Sequence, residues 1–182
     1  MLEIIVVIAI VIAIAVVAVL ILASTKPDIF RVQRTASIAA PPEKIFPLIN
    51  EFDNWISWSP YEKKDPDMKR TRSGPSGGKG AVYQWDGNNN VGAGRMEILD
   101  TSPPSKVVIK LDFFRPFKGH NTAEFTLEPK GSATNVTTNV TWAMFGPNKC
   151  MGRVMGIFIN MDKMIGKDFE AGLANMKTLT ER

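Results

Sequence analysis

Arg34 lies in FRVQRTASI, residues 30–38, where Phe30, Val32, Ala36 and Ile38 alternate with polar residues. That alternation marks a strand with one apolar face, and Arg34 falls on the apolar parity. A guanidinium among apolar side chains needs a partner. A ligand carboxylate or phosphate, an acid elsewhere in the chain, or water at a strand end would each serve. Tyr83 offers a phenol, and Asp53 and Glu97 offer carboxylates. Cyclase- or hydrolase-like chemistry would need two or more of these four groups to converge inside one cavity. His120 opens a strand with Glu124 on its own face, opposite Phe125 and Leu127, so it reads as solvent-facing.

Several chemistries lack their residues. The chain has one cysteine, Cys150, and one histidine, so neither an internal disulfide nor a His/Cys zinc site can be built. GPSGGKG (74–80) has the wrong glycine spacing for a phosphate loop, and a strand follows it rather than a helix. A nucleophile elbow, a dinucleotide fingerprint and a metal-binding helix motif are all missing. No cofactor is expected. The net charge of +4 comes without a run of five basic residues, which argues against nucleic acid as a partner.

The elements that must position these groups follow from periodicity. After the first strand, Pro41-Pro42 leads into a helix over PEKIFPLINEF that Pro47 keeps short. Strands are predicted at 68–74, 81–87, 94–102, 106–114, 121–129 and 134–145, making seven with the first. Hairpin-length connections make the sheet antiparallel. From about 149 to 181, Met151, Val154, Met155, Phe158, Met161, Ile165, Phe169, Leu173, Met176 and Leu179 recur at gaps of three and four. This spacing predicts one long amphipathic helix whose apolar stripe covers the sheet. A single helix about 10 Å wide does not fill a strongly curved sheet, so a gap is expected between them.

Three stretches carry a family resemblance: PPEKIFPLINEFDNWISWSPYEKKDP, GAVYQWDGN followed by GAGRMEI, and MIGKDFEAGLANMK. In these the chain resembles the START/polyketide-cyclase-like (SRPBCC) superfamily over roughly 28–182, with Tyr61 where its WSPW-like turn carries tryptophan. The resemblance implies the α+β helix-grip fold, a curved seven-stranded antiparallel sheet around a long C-terminal helix. It also implies that the short helices plug one end of a cavity. Trp55 and Trp58 in FDNWISWSP (52–60) would be the bulk of that plug. Each buried ring contributes several kcal/mol at about 25 cal/mol per Å².

Strand parity gives the inward-facing set. The candidate ligand-binding residues are Arg34, Trp58, Tyr83, Trp85, Met96, Phe113, Phe125, Trp142, Met155 and Phe158. Six of the nine methionines lie at or after residue 144, and such pliable walls suit either an apolar ligand or an ordinary core.

Residues 4–23, IIVVIAIVIAIAVVAVLILA, are an uncharged apolar run that as a helix spans about 30 Å, enough for a bilayer's hydrocarbon core. A cleaved signal peptide fits less well, because no basic segment precedes the run. The expected organisation is a transmembrane anchor over 1–25 and a helix-grip domain over 26–182. Lys26, Arg31 and Arg34 follow the span while Glu3 precedes it, so the positive-inside rule places the domain in the cytoplasm. The function expected is a single-pass, membrane-anchored domain that binds a hydrophobic small molecule or lipid in an internal cavity. A polyketide cyclase- or hydrolase-like enzyme and a protein-interaction scaffold are the alternatives.

Overall fold

In the computed structural model, which describes residues 1–132 and 135–182, seven strands form one sheet with every neighbouring pair antiparallel. The strands are β1 (Ile29–Ile38), β2 (Lys69–Ser73), β3 (Val82–Asp86), β4 (Ala93–Ser102), β5 (Lys106–Arg115), β6 (Gly119–Ser132) and β7 (Asn135–Pro147). Their order across the sheet is β1-β7-β6-β5-β4-β3-β2. Strands β2 to β7 are therefore a meander, and β1 joins its last strand. All seven strands lie where the sequence predicts them, with the charged β2 at the sheet edge.

The helices are α1 (Leu2–Ser24), α2 (Pro42–Asn50), α3 (Trp55–Trp58), α4 (Pro60–Lys64), α5 (Cys150–Phe158) and α6 (Met161–Thr180). The single helix expected over 149–181 is thus two. Ile159 is extended, and the Asn160 side chain accepts a hydrogen bond from the Lys163 backbone N–H at 2.8 Å, capping a new helix. Phe158 and Met161 are three residues apart, so the apolar periodicity runs through the break without recording it.

The two segments have different partners. Helix α6 lies along β1, while α5 lies beside α1. Arg34 meets Asp162 at one end of α6, and the Ala39 N–H reaches Glu181 at the other, so α6 runs in the same direction as β1. The sheet end where β1 begins also carries the β3–β4 and β5–β6 tips and the exit of β7. Helices α1 and α5 lie at that end.

The short helix α2 contains Pro47 and would be marginal alone. Its last four carbonyls have no partner within the helix. Pro47 O receives the Glu51 N–H and the Asn54 side-chain amide, and Asn50 O receives the Gly78 N–H. Leu48 O accepts from the Trp58 indole at 2.7 Å, and Ile49 O accepts from the Trp55 indole at 3.0 Å. The pair of tryptophans in FDNWISWSP therefore caps the helix that precedes it. Their rings also fill the core that this helix covers.

Helix α6 approaches the sheet through its glycines. A methyl group at Gly172 would lie 2.8 Å from the Trp142 ring and 3.4 Å from the Trp58 ring. Glycine-to-alanine in a helix normally gains about 1 kcal/mol. Here both rings are locked, so Gly172→Ala is expected to destabilise by about 1–3 kcal/mol, measured by denaturant melts. An increase in stability would mean that the rings yield.

Candidate functional site

The inner face of the sheet is closed at one end by an aromatic cluster. The Trp142 ring stacks on Phe169 of α6 at 4.0 Å between centroids and 9° between planes. Phe125 stacks on the other side of Trp142 at 5.0 Å, and Trp58 meets it edge-on at 5.5 Å. Trp55 lies 4.8 Å from Trp58. Offset-stacked and edge-to-face geometries of this kind add to the area they bury. This end of the interior is occupied by side chains.

Burial relaxes toward the α1 end. On β5, Val107 and Ile109 are fully buried, Leu111 is 9% exposed and Phe113 is half-buried. On β4, Ile98 is fully buried and Met96 is 8% exposed. On β7, Val140 is fully buried and Met144 is 6% exposed. On β1 there is no steady trend: Ile38 and Val32 are buried, while Ala36, Arg34 and Phe30 are partly open. The inner face is packed by tryptophan at one end and is slightly less covered toward the other.

The ten candidate residues divide along this gradient. Trp58, Phe125 and Trp142 belong to the closed cluster. Trp85, Met96 and Phe113 line the opening end, with Phe113 edge-on to Trp85 at 5.8 Å. The Trp85 indole donates to Val91 O at 3.0 Å. Met155 is half-buried on α5, whereas Phe158 points out and is 73% exposed. Tyr83 is buried on the inner face and engaged with Glu62.

Arg34 finds its anions within the chain. Its guanidinium bonds Asp162 at 3.0 Å and Glu170 at 2.6 Å. Asp162, Gly166 and Glu170 are spaced four apart on one face of α6, and the guanidinium lies where a Gly166 side chain would be. Hydrogen bonds to Asp162 and then Glu170 raise the Arg34 pKa, and the same bond holds Asp162 below its ordinary value. The charge on the apolar parity of β1 is thus a fastener between sheet and helix.

The other polar candidates do not converge with it. Asp53 pairs with Arg72 at 2.6 Å on the surface, and Glu97 pairs with Arg95 at 2.7 Å. His120 is exposed, as its strand parity predicts, and shares a 2.7 Å hydrogen bond with Asp112. Burial alone would raise the Asp112 pKa, but the bonds from His120 and Lys110 override it and hold the carboxyl below the usual range.

One polar cluster was not singled out by residue type or spacing. The Tyr83 hydroxyl donates to Glu62 Oε1 at 2.5 Å, and Arg70 Nε donates to Glu62 Oε2 at 2.7 Å. Arg70 also donates to the carbonyls of Pro66 and Met68. Glu62 sits in α4, whose start Pro60 does signal as a first-turn proline. Nothing in the sequence pairs Glu62 with β2 and β3.

Both tyrosines of the chain are held neutral. Burial, then the hydrogen bond and charge of Glu62, push the Tyr83 pKa well above 10.0. Burial and the neighbouring Asp168 carboxylate do the same for Tyr61. Raised folded-state values contribute stability that is complete below the ordinary pKa of 10.0 and is lost as pH climbs above it. Absorbance titration at 295 nm is therefore expected to show no phenolate near pH 10. Both phenols should ionise together with alkaline unfolding. A step near 10 in folded protein would mean that one hydroxyl is open to water.

The comparisons with known proteins bear on the fold and the family. Among solved structures, the chain is similar to protein CV1439 of Chromobacterium violaceum, with 13% identity, 86% of this chain and 99% of that one covered, and a TM-score of 0.57. A protein of Nitrosospira multiformis matches at 16% identity over 83% and 96% of the two chains, TM-score 0.59. The ginseng major latex-like protein 151 of Panax ginseng matches at 11% identity over 85% and 99%, TM-score 0.57. Such likeness establishes the helix-grip fold. No curated protein matches the chain. The family model described as polyketide cyclase / dehydrase and lipid transport matches residues 30–181, from the first strand to the last turn of α6, and the chain belongs to that family.

Proposed function

We propose that the chain is a membrane-tethered domain that holds an apolar small molecule or lipid at the open, α1-side end of its helix grip. The observation that carries this reading is the burial gradient along the inner face. On β4, β5 and β7 the inward residues lose a little cover toward the end where the apolar helix leaves, and Phe30 of β1 is partly open there. That end is lined by Trp85, Met96, Leu111, Phe113 and Met144, with no charged group among them. Helix α5, which packs beside α1, is separated from α6 by the extended Ile159. A short helix with its own break can swing without disturbing the Trp142–Phe169 stack, so a ligand can enter while the closed end stays intact.

Helix α1 supports the tether. Its apolar span of 22 residues is exposed almost throughout and extends about 33 Å. With Lys26, Arg31 and Arg34 following the span, the domain faces the cytoplasm in this reading. A ligand that partitions into the bilayer is then presented to the open end of the grip. The family description, which includes lipid transport, agrees with such a ligand class.

Native mass spectrometry of full-length protein, taken from membranes in mild detergent, tests the ligand. The expected spectrum carries an apolar adduct, one per chain, that organic extraction removes. Met96→Trp, which fills the open end, should lose the adduct while keeping a cooperative melt. Unadducted wild-type chain, with nothing recovered by extraction, would end the reading. Protease access in spheroplasts tests the orientation: the domain should resist digestion until the membrane is opened.

A further inference from the structure

The end of the domain from which α1 departs carries an apolar collar that the ligand site does not use. Phe117 at the β5–β6 tip is 62% exposed, and Phe158 at the end of α5 is 73% exposed. Phe114, Ile29 and Ile159 are exposed as well. Every exposed phenylalanine among the described residues lies at this one end. Large apolar side chains gathered this way mark an interaction surface.

The surroundings say what covers it. Lys118 adjoins Phe117, Lys26 lies in the linker after α1, and Lys149 precedes α5. None of these three ammonium groups has an acidic partner within 4.0 Å among the described residues. By contrast, Arg153 of α5 pairs with Asp28 of the linker, which ties α5 to the exit of the apolar helix. The covered residues on the last turns of α1 are Val19 and Ala23, four apart on one helix face, and α5 is its partner. Where α1 leaves the bilayer, α5 and the collar are therefore level with the lipid headgroups. Aromatic rings flanked by free ammonium groups are the composition that such a boundary favours.

We infer that this collar, formed by the β5–β6 tip and α5, is a second membrane contact that docks the domain end-on against an anionic phospholipid surface. The inference rests on the tether proposed above. Five apolar side chains would hold a free protein on a bilayer only weakly. A tether turns docking into an intramolecular step at an effective concentration of about millimolar, so a weak surface suffices. Docking end-on also seals the open end of the grip against lipid rather than water.

The test uses full-length protein in vesicles of phosphatidylcholine with or without phosphatidylglycerol. A bimane label is placed at Phe117→Cys or, at the far end of the sheet, at Ser76→Cys, each in a Cys150→Ser background. Lipids brominated near the headgroup should quench the label at 117 several-fold more than the label at 76, and more strongly with phosphatidylglycerol present. Lys118→Gln should lower the ratio of docked to undocked protein by about five-fold, the effect of one basic side chain near an anionic surface. Equal quenching at 117 and 76 in protein that survives alkaline carbonate washing would overturn the docking and leave the tether standing. Release of the protein by carbonate would overturn both. Excimer emission from pyrene at 117, in place of quenching, would give the collar to a second copy of the chain and sink the proposal.

Discussion

Trp142→Ala is expected to destabilise the domain by about 3–5 kcal/mol, a shift in Tm of roughly 10–15 °C. The magnitude follows from position. The ring is sandwiched between Phe169 at 4.0 Å and Phe125 at 5.0 Å, and both plug tryptophans touch its edge. Deleting it removes the surface on which helix α6, strand β6 and helix α3 meet. The neighbours cannot collapse into the space, because the Trp55 and Trp58 indoles are tied by hydrogen bonds to the carbonyls of Ile49 and Leu48. A void held open by tied walls is the costly kind. Thermal melts of the full-length protein in detergent give the number. Trp142→Phe should lose less, since a ring still lies over Phe169. A shift of only a few degrees for the alanine variant would show that the closed end is not the centre of the fold. The adduct expected at the open end should survive Trp142→Ala below its melting temperature, whereas Met96→Trp should remove it without a comparable loss of stability. That crossed pattern separates the two ends of the grip.

Much of this architecture could be read from residues alone. Alternation places six strands, the charge of 68–74 marks it as an edge strand, and parity assigns Tyr83, Trp85, Met96, Phe125 and Trp142 to the buried face, because a period of two fixes the side of each residue once the strand is found. Strand parity also puts Arg34 on the inner face. What it cannot supply is the partner, since Asp162 and Glu170 lie more than a hundred residues away on a helix whose register is set only by packing. The break between α5 and α6 is invisible for a different reason. Both helices present apolar residues at gaps of three and four, and the extended Ile159 fits between them without disturbing the count. The filling of the closed end was equally hidden. Parity gives a list of inward side chains, but whether they touch across the gap depends on how closely α6 approaches. That distance is set by Gly172 and Gly166, where any side chain would collide with Trp142 or Arg34. Residues 149–181 contain four glycines, Gly152, Gly156, Gly166 and Gly172, each costly in a helix, and two of them have this use. Gly156 meets nothing within 4 Å, and no packing reason for it emerges.

Arg70→Met should cost about 3–5 kcal/mol, the loss expected when one partner of a buried ion pair is removed. The Glu62 side chain is 6% exposed, and Arg70 is its only cation among the ion pairs of the described residues. In the folded wild type, burial by itself would lower the Arg70 pKa, but the hydrogen bond and charge of Glu62 override this and raise it, so the guanidinium stays charged. Without the guanidinium, Glu62 keeps a single hydrogen bond from the Tyr83 hydroxyl. The carbonyls of Pro66 and Met68, which Arg70 also holds, lose a donor as well. If the penalty is the stranded carboxylate, removing its charge should relieve it. Glu62→Leu with Arg70→Met should therefore be more stable than Arg70→Met alone, and adding Tyr83→Phe should recover more, because the phenol would otherwise lose its acceptor. Urea melts of the three variants in a common background measure these differences. A double variant no better than Arg70→Met would locate the cost in the carbonyls of the 65–68 turn instead. The same series bears on the alternative of an enzyme. Tyr83 is the one inward-facing group among the four polar candidates whose hydroxyl adjoins the apolar interior, and that hydroxyl is committed to Glu62. If Tyr83→Phe leaves the bound adduct unchanged while stability falls, the phenol fastens α4 to the sheet and does not touch the ligand.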